Sequence, residues 1–238
     1  MSPRSSPTFT YLGHSTLKVE LADGRVVLID PWVMQNPACP AELHDFDRID
    51  AILITHAHFD HMADAVALAQ RYAPEIVVGS WEICFWLESQ GVENTSGMNL
   101  GGSQDVLGMR VTQVRADHSS ALVDDGRLLD GGPASGYVIR LENGYTFYHA
   151  GDTALFSDMQ LIAELYRPEL AFLPIGDHFT MDPQQAARAC KFLEVRKVVP
   201  IHWGTFPLLT GTPDQLAASL ADLGVSCEVV ALRPGESF

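Results

Sequence analysis

Apolar positions along the chain follow two periods, and the switches between them mark its elements. Residues 10–12 and 16–21, then the apolar run 26–29 behind an Asp23-Gly24 turn, predict an antiparallel meander closing at Asp30-Pro31. Residues 51–55 predict a buried strand. From 62 to 72 the spacing becomes helical, with Val66, Ala69 and Tyr72 on one side and a stop before Pro74. A strand at 76–78, a helix at 81–89 stopping at Gly91 and a strand at 109–114 follow. Glu142-Asn143-Gly144, between strands at 136–141 and 145–149, is the strongest hairpin signal in the chain. The rhythm then repeats as helix 155–166, strand 170–173, helix 183–193 with Pro183 in its first turn, strand 197–201, helix 213–223 behind Thr212, and strand 227–230. Residues 126–136 follow neither period and are expected to form a surface loop.

Each half thus opens with antiparallel strands and continues into alternating strand and helix, with no low-complexity linker between them. That order predicts an α/β fold, a four-layer αββα sandwich of two mixed sheets packed face to face with helices outside, as one domain over 1–238. At 238 residues the chain can bury such a core without staples. Cys39, Cys84, Cys190 and Cys227 form no C-x-x-C pair and are expected to be reduced and mostly buried. Residues 1–10 have no apolar core and no run of 18 apolar residues exists, so neither a secretory leader nor a membrane span is expected. A cytoplasmic protein follows, in which the Asn94-Thr95-Ser96 sequon is idle. Thirty acids against fifteen bases give a formal charge of −15, which repels polyanions and counts against nucleic acid and anionic membrane as partners.

Nine histidines are the exceptional feature. Thr55-His56-Ala57-His58-Phe59-Asp60-His61 places four candidate metal ligands directly behind a buried strand. Imidazole suits zinc, iron or manganese, and a carboxylate adds an anionic oxygen. In extended backbone His56, His58 and Asp60 face one way, while His61 opens the next helix and turns towards a second position. His118 follows the strand 109–114, and His202 follows 197–201. Asp152, behind Gly151 at the end of 145–149, suits a ligand bridging two ions or the N-cap of helix 155–166. Each of these positions closes a strand, where α/β folds gather their ligands.

The order His-x-His-x-Asp-His, His118, Gly151-Asp152-Thr153, His202 resembles the metallo-β-lactamase superfamily. Tyr11-Leu12-Gly13-His14-Ser15, His118-Ser119-Ser120, residues 173–181 and Pro200 to Pro207 narrow the likeness to uncharacterised metal-dependent hydrolases related to the ascorbate-phosphate lactonase branch. The resemblance implies one metal on His56, His58 and His118, and a second on Asp60, His61 and His202, with Asp152 between them. It implies two divalent ions, zinc first with manganese or iron as alternatives, and a shared hydroxide attacking an ester, lactone, amide or phosphoester of a small molecule. Asp60 is the expected catalytic residue, orienting that hydroxide and passing a proton to the leaving group. Homo-oligomers occur in the lactonase branch. Nucleic-acid or lipid phosphodiesterases of the same superfamily are the alternative, and diiron redox relatives a more distant one.

Other histidines divide between substrate and structure. His14 and His178 are candidates to contact substrate or support ligands, with Ser119 and Trp203 as weaker ones. His149 is expected either to support Asp152 or to sit as a satisfied core residue, and His44 to lie on the surface.

Overall fold

The computed structural model describes residues 7–238, so most of the N-terminal stretch read as no leader lies outside the described residues. The described residues divide into two compact units, each interrupted in sequence: 7–99, 120–133 and 233–238 form the first, 100–119 and 134–232 the second.

In the first unit six strands run in chain order across one sheet. β1 (Thr8–Gly13), β2 (Thr16–Glu20) and β3 (Val26–Ile29) are the expected meander. β4 (Ala51–Leu53), β5 (Ile76–Ser80) and β6 (Thr95–Met98) then add in parallel. Helices α1 (Phe59–Met62), α2 (Ala65–Tyr72) and α3 (Trp81–Ser89) make the connections. Leu28, Ile52, Ile54 and Val77 on one sheet face pack against Met62, Ala65, Leu68, Ala69 and Ile83. The alternate residues Val27, Ile29, Leu53 and Val78 are fully buried too, as parallel strands covered on both faces require. Residues 233–238 return to the edge of β1, where Phe9 and Phe238 exchange backbone hydrogen bonds at 3.1 Å and stack their rings.

In the second unit the sheet order is β15-β14-β13-β12-β11-β8-β7. β7 (Ser103–Val106), β8 (Met109–Arg115), β11 (Ser135–Arg140) and β12 (Thr146–His149) are antiparallel neighbours. β13 (Leu170–Pro174), β14 (Lys197–Ile201) and β15 (Glu228–Val229) continue in parallel. Val138, Tyr148, Ala171, Leu173 and Val198 bury against α4 (Met159–Tyr166), α5 (Pro183–Leu193) and α6 (Pro213–Asp222). Asp182 caps α5, and Thr212 with Gln215 closes a capping box on α6. The α/β class stands in both units.

Three expectations are corrected. The helix expected at 62–72 begins only at Ala65, behind a separate short helix ending at Met62, because the Asp64 amide donates to Pro31 O while its carboxylate takes the amides of Val33 and Met34. Helix 155–166 starts only at Met159, with Asp158 at the N-cap, so Asp152 is not a helix cap. Residues 126–136 are a loop only at 131–134: β9 (Ala121–Asp124) and β10 (Arg127–Asp130) form a hairpin of the first unit, and β11 already begins at Ser135. Its turn, Asp125 and Gly126, has φ 47° and 71°, the left-handed pair a two-residue hairpin needs.

Candidate functional site

The sheet hydrogen bonding of the first unit ends where chemistry begins. Ile54 still donates to Val78 O at 2.8 Å, but the Thr55 amide donates to the side chain of Asp30 instead, at 2.8 Å from Oδ1. The freed chain bends at Thr55 and is extended at His58, and the His56 Nε2 and His58 Nδ1 atoms converge to 3.0 Å. Strand alternation stops there. Asp60 and His61 lie in α1, so a helical turn, not extended backbone, aims them.

His14 joins this group. Its Nε2 donates to Asp60 Oδ2 at 3.0 Å, and ligand atoms of His14, Asp60 and His61 all lie within 4.8 Å of one another. His14 is fully buried at φ 57°, behind Gly13, where φ is 102° and a Cβ would lie 3.0 Å from that of Ala38. The Tyr11 hydroxyl donates to the His14 carbonyl at 3.0 Å, and burial pushes this phenol well up, so it stays a protonated donor.

Asp30 is the residue that sequence reasoning missed. Its Oδ2 accepts from His61 Nδ1 at 2.8 Å and from the Thr55 hydroxyl at 2.8 Å. Having donated its proton, the Thr55 oxygen accepts from His56 Nδ1 at 3.1 Å. One buried carboxylate therefore fixes two imidazoles with Nδ1 protonated and Nε2 offering a lone pair, the arrangement of metal-ligating histidines. The signal was present at Asp30-Pro31, where a strand ends, but it reads equally as a turn. The Asp30 backbone is left-handed, φ 52°.

In the second unit three donors converge. His202 Nε2 lies 3.0 Å and His118 Nε2 3.6 Å from Asp152 Oδ2, with Asp152 and His202 almost wholly buried. The turn before Asp152 is held by the Gly151 amide, at φ 60°, donating to His149 Nδ1 at 3.2 Å. His149 is thus a buried core histidine stacked on Phe172 that shapes the Asp152 turn. Thr153 ties the His118 loop to the same turn, its hydroxyl accepting from the Asp117 amide at 2.9 Å while Ala154 N donates back to Asp117 O. His202 leaves β14 at φ 54°, and Gly176 passes so close that a Cβ would lie 2.2 Å from the His202 carbonyl oxygen.

The weaker candidates separate. The Trp203 indole donates to Pro200 O at 3.1 Å and packs on the core of its unit. Ser119 is exposed beside His118. His178 is exposed on a left-handed turn and meets Phe179 edge-on. His44 is only half exposed, its Nε2 3.4 Å from Cys39 O.

Comparison with known proteins identifies the family. Residues 25–203 match the family model described as the beta-lactamase superfamily domain. A UPF0173 metal-dependent hydrolase of Koribacter versatilis is 47% identical over 229 residues, covering 96% of each chain. The metallo-hydrolase Igni18 of Ignicoccus hospitalis superposes with a TM-score of 0.87 at 36% identity, covering 98% of both chains. YhfI of Bacillus subtilis, a metallo-β-lactamase-fold protein, shares the fold at a TM-score of 0.73 and 16% identity, with 98% and 100% covered. Strand-end donors, a mixed α/β fold and these likenesses agree, and the chain belongs to the β-lactamase superfamily, among its UPF0173 metal-dependent hydrolases.

Proposed function

We propose that this hydrolase acts on a small molecule bearing an ester, lactone, amide or phosphoester, using two divalent ions. In this proposal His56, His58 and His118 hold one ion, Asp60, His61 and His202 the other, and Asp152 is shared. The observation that carries it is Asp152, a buried carboxylate whose Oδ2 has two imidazole nitrogens at 3.0 and 3.6 Å. The donor chemistry fits: imidazoles whose Nε2 atoms are left available, with carboxylates to offset the charge of divalent ions. Bound ions supply a water of lowered pKa and polarise the oxygen that gains charge.

The chain's own residues do the rest. His14 holds one oxygen of Asp60, which leaves the other to orient a water and carry its proton to the leaving group. Asp30 keeps His61 and His56 in one tautomer and orientation. Zinc is the proposed ion, with manganese and iron as the alternatives. A cytoplasmic setting and a single working domain over 1–238 belong to the same proposal; no helix among the described residues is long and apolar enough to cross a membrane.

Metal analysis of the purified protein, joined to a screen of small esters, lactones, amides and phosphodiesters, tests it. About two equivalents of metal are expected, with a hydrolysis that Asp152→Ala abolishes. Less than one equivalent, and no activity after adding zinc or manganese, would overturn it. His58→Ala and His118→Ala test the shared ligation, since each should cost the same ion and the double variant no more.

A further inference from the structure

Phe59 stands between two of the proposed ligands, His58 and Asp60, and is 63% exposed. The fold does not call for a phenyl ring there. Helix α1 buries His61 and Met62, and a polar residue at 59 would serve that packing as well. The ring is nevertheless held in place. The Phe59 carbonyl accepts from Ala63 N at 2.9 Å, which fixes the backbone, and Trp32 meets the ring edge-on with centroids 5.7 Å apart. Trp32 is only 3% exposed and meets His14 edge-on as well, at 5.1 Å. His14 in turn holds Asp60 Oδ2 at 3.0 Å. One buried indole thus braces both the exposed ring and the histidine that positions Asp60. Isolated exposed apolar residues are ordinary on protein surfaces. This one is fixed by the same side chains that set the geometry of the site.

The charge around Phe59 decides what the ring can receive. Segment 31–38, which carries Trp32, has no charged residue, and Met34 within it is 42% exposed. All four bases of residues 7–99 already face acids: Lys18 pairs with Glu20, Arg25 with Asp23, Arg48 with Asp50 and Arg71 with Asp45. A carboxylate on the far part of a substrate would find no free cation on these elements, only an aromatic ring on a chain of net charge −15. An aryl or alkyl group would instead leave water against Phe59, which is worth about tenfold in affinity.

We propose that the non-reacting part of the substrate is uncharged and apolar, an aryl or alkyl group packed on the Phe59 ring, and that Phe59 selects it. This inference rests on the hydrolysis proposed above and narrows its small molecule to one with an apolar arm.

Hydroxamates bind divalent ions through two oxygens and so test the arm apart from turnover. On the zinc-loaded protein, phenylacetohydroxamate should bind about tenfold tighter than acetohydroxamate. Succinohydroxamate, with a carboxylate on its arm, should bind no tighter than acetohydroxamate. In the 15N-labelled protein the phenyl probe should shift the Trp32 indole N–H and leave those of Trp81 and Trp86 in place. Phe59→Ala should erase the phenyl preference and Phe59→Leu should keep part of it; both change an exposed side chain and should fold. The kcat/KM ratio of methyl phenylacetate to methyl acetate should fall by the same factor in Phe59→Ala, through KM. Equal binding of the phenyl and methyl probes, a preference for the carboxylate arm, or a phenyl preference that survives Phe59→Ala would overturn the inference and leave the hydrolysis standing. Protein that takes up no zinc and hydrolyses neither ester would overturn the proposed hydrolysis, and this inference with it.

Discussion

His61 Nδ1 donates to Asp30 Oδ2 at 2.8 Å, and neither side chain reaches solvent. The pair fixes which nitrogen of His61 is left for a ligand, and through Thr55 the same carboxylate fixes His56. Asp30→Ala removes the acceptor of a strand-end amide, a hydroxyl and an imidazole at once. We expect a stability loss of about 3 kcal/mol in urea and a fall in metal affinity of about 10–100-fold. Unchanged metal affinity in a folded Asp30→Ala protein would show that the carboxylate does not orient these histidines.

Gly176 bears on His202 in a different way. A Cβ at 176 would lie 2.2 Å from the His202 carbonyl oxygen and 3.0 Å from Leu209, so Gly176→Ala forces the backbone carrying His202 to move. The expected cost is about 1–3 kcal/mol of stability, as for overpacking elsewhere, accompanied by lower bound metal. Gly204→Ala is the comparison: a Cβ there meets nothing within 4 Å, so its effect should come from its φ of 69° alone and spare the position of His202.

Asp50 should set part of the acid limit of the first unit. Burial alone would raise its pKa, but the Arg48 guanidinium and the Val26 amide, which donates at 2.7 Å, together hold it below the ordinary carboxylate value. A depressed folded pKa gives stability that is present above the unfolded value, near 4, and is lost as pH falls through the folded one. Asp50→Asn should therefore be less stable than the parent by about 1–2 kcal/mol at neutral pH, with the gap closing below about pH 4. Urea midpoints measured from pH 7 downwards decide it, and a gap that does not narrow as pH falls below about 4 would refute the electrostatic account.

The four cysteines are free thiols, and they should differ sharply in reactivity. Cys39 is pushed up to about 12 by burial and the charges of Asp64 and Glu42, and Cys84 to about 11 by burial. Cys227, partly exposed, is lowered by the hydrogen bond from the Cys190 thiol, which is raised in turn. Iodoacetamide at neutral pH, read by peptide mass spectrometry, should label Cys227 first, and its rate should climb with pH below the usual thiol midpoint of about 8.5. Comparable labelling of Cys39 or Cys84 in the folded protein would contradict this ordering.

Much of the fold was legible because apolar runs and their stops coincide in this chain. Val26–Ile29, Trp81–Ser89, Pro183–Leu193 and Lys197–Ile201 have the bounds their patterns give. Strands β6 and β7 escaped because Thr-Ser-Gly-Met and Ser-Gln-Asp-Val carry little apolar signal at a sheet edge. The β9–β10 hairpin escaped although Asp125-Gly126 announced its turn: the outward-facing Val123 and Leu128 blurred the alternation that defines a strand. At the candidate site, donors were visible because histidines are rare and crowded here. Asp30 and His14 were harder, since their roles rest on partners 31 and 46 residues away in sequence.

The return of residues 233–238 to β1 has a consequence for biosynthesis. Phe9 and Tyr11 take backbone partners from Phe238, Glu236 and Gly235, all of which are translated after every residue of the second unit. While 134–232 emerge from the ribosome, the Phe9 and Tyr11 amides on the β1 edge wait for partners not yet made. An open strand edge is a template for other nascent chains. The first sheet, although begun first, therefore gains its last backbone partners only after the whole second unit has been translated.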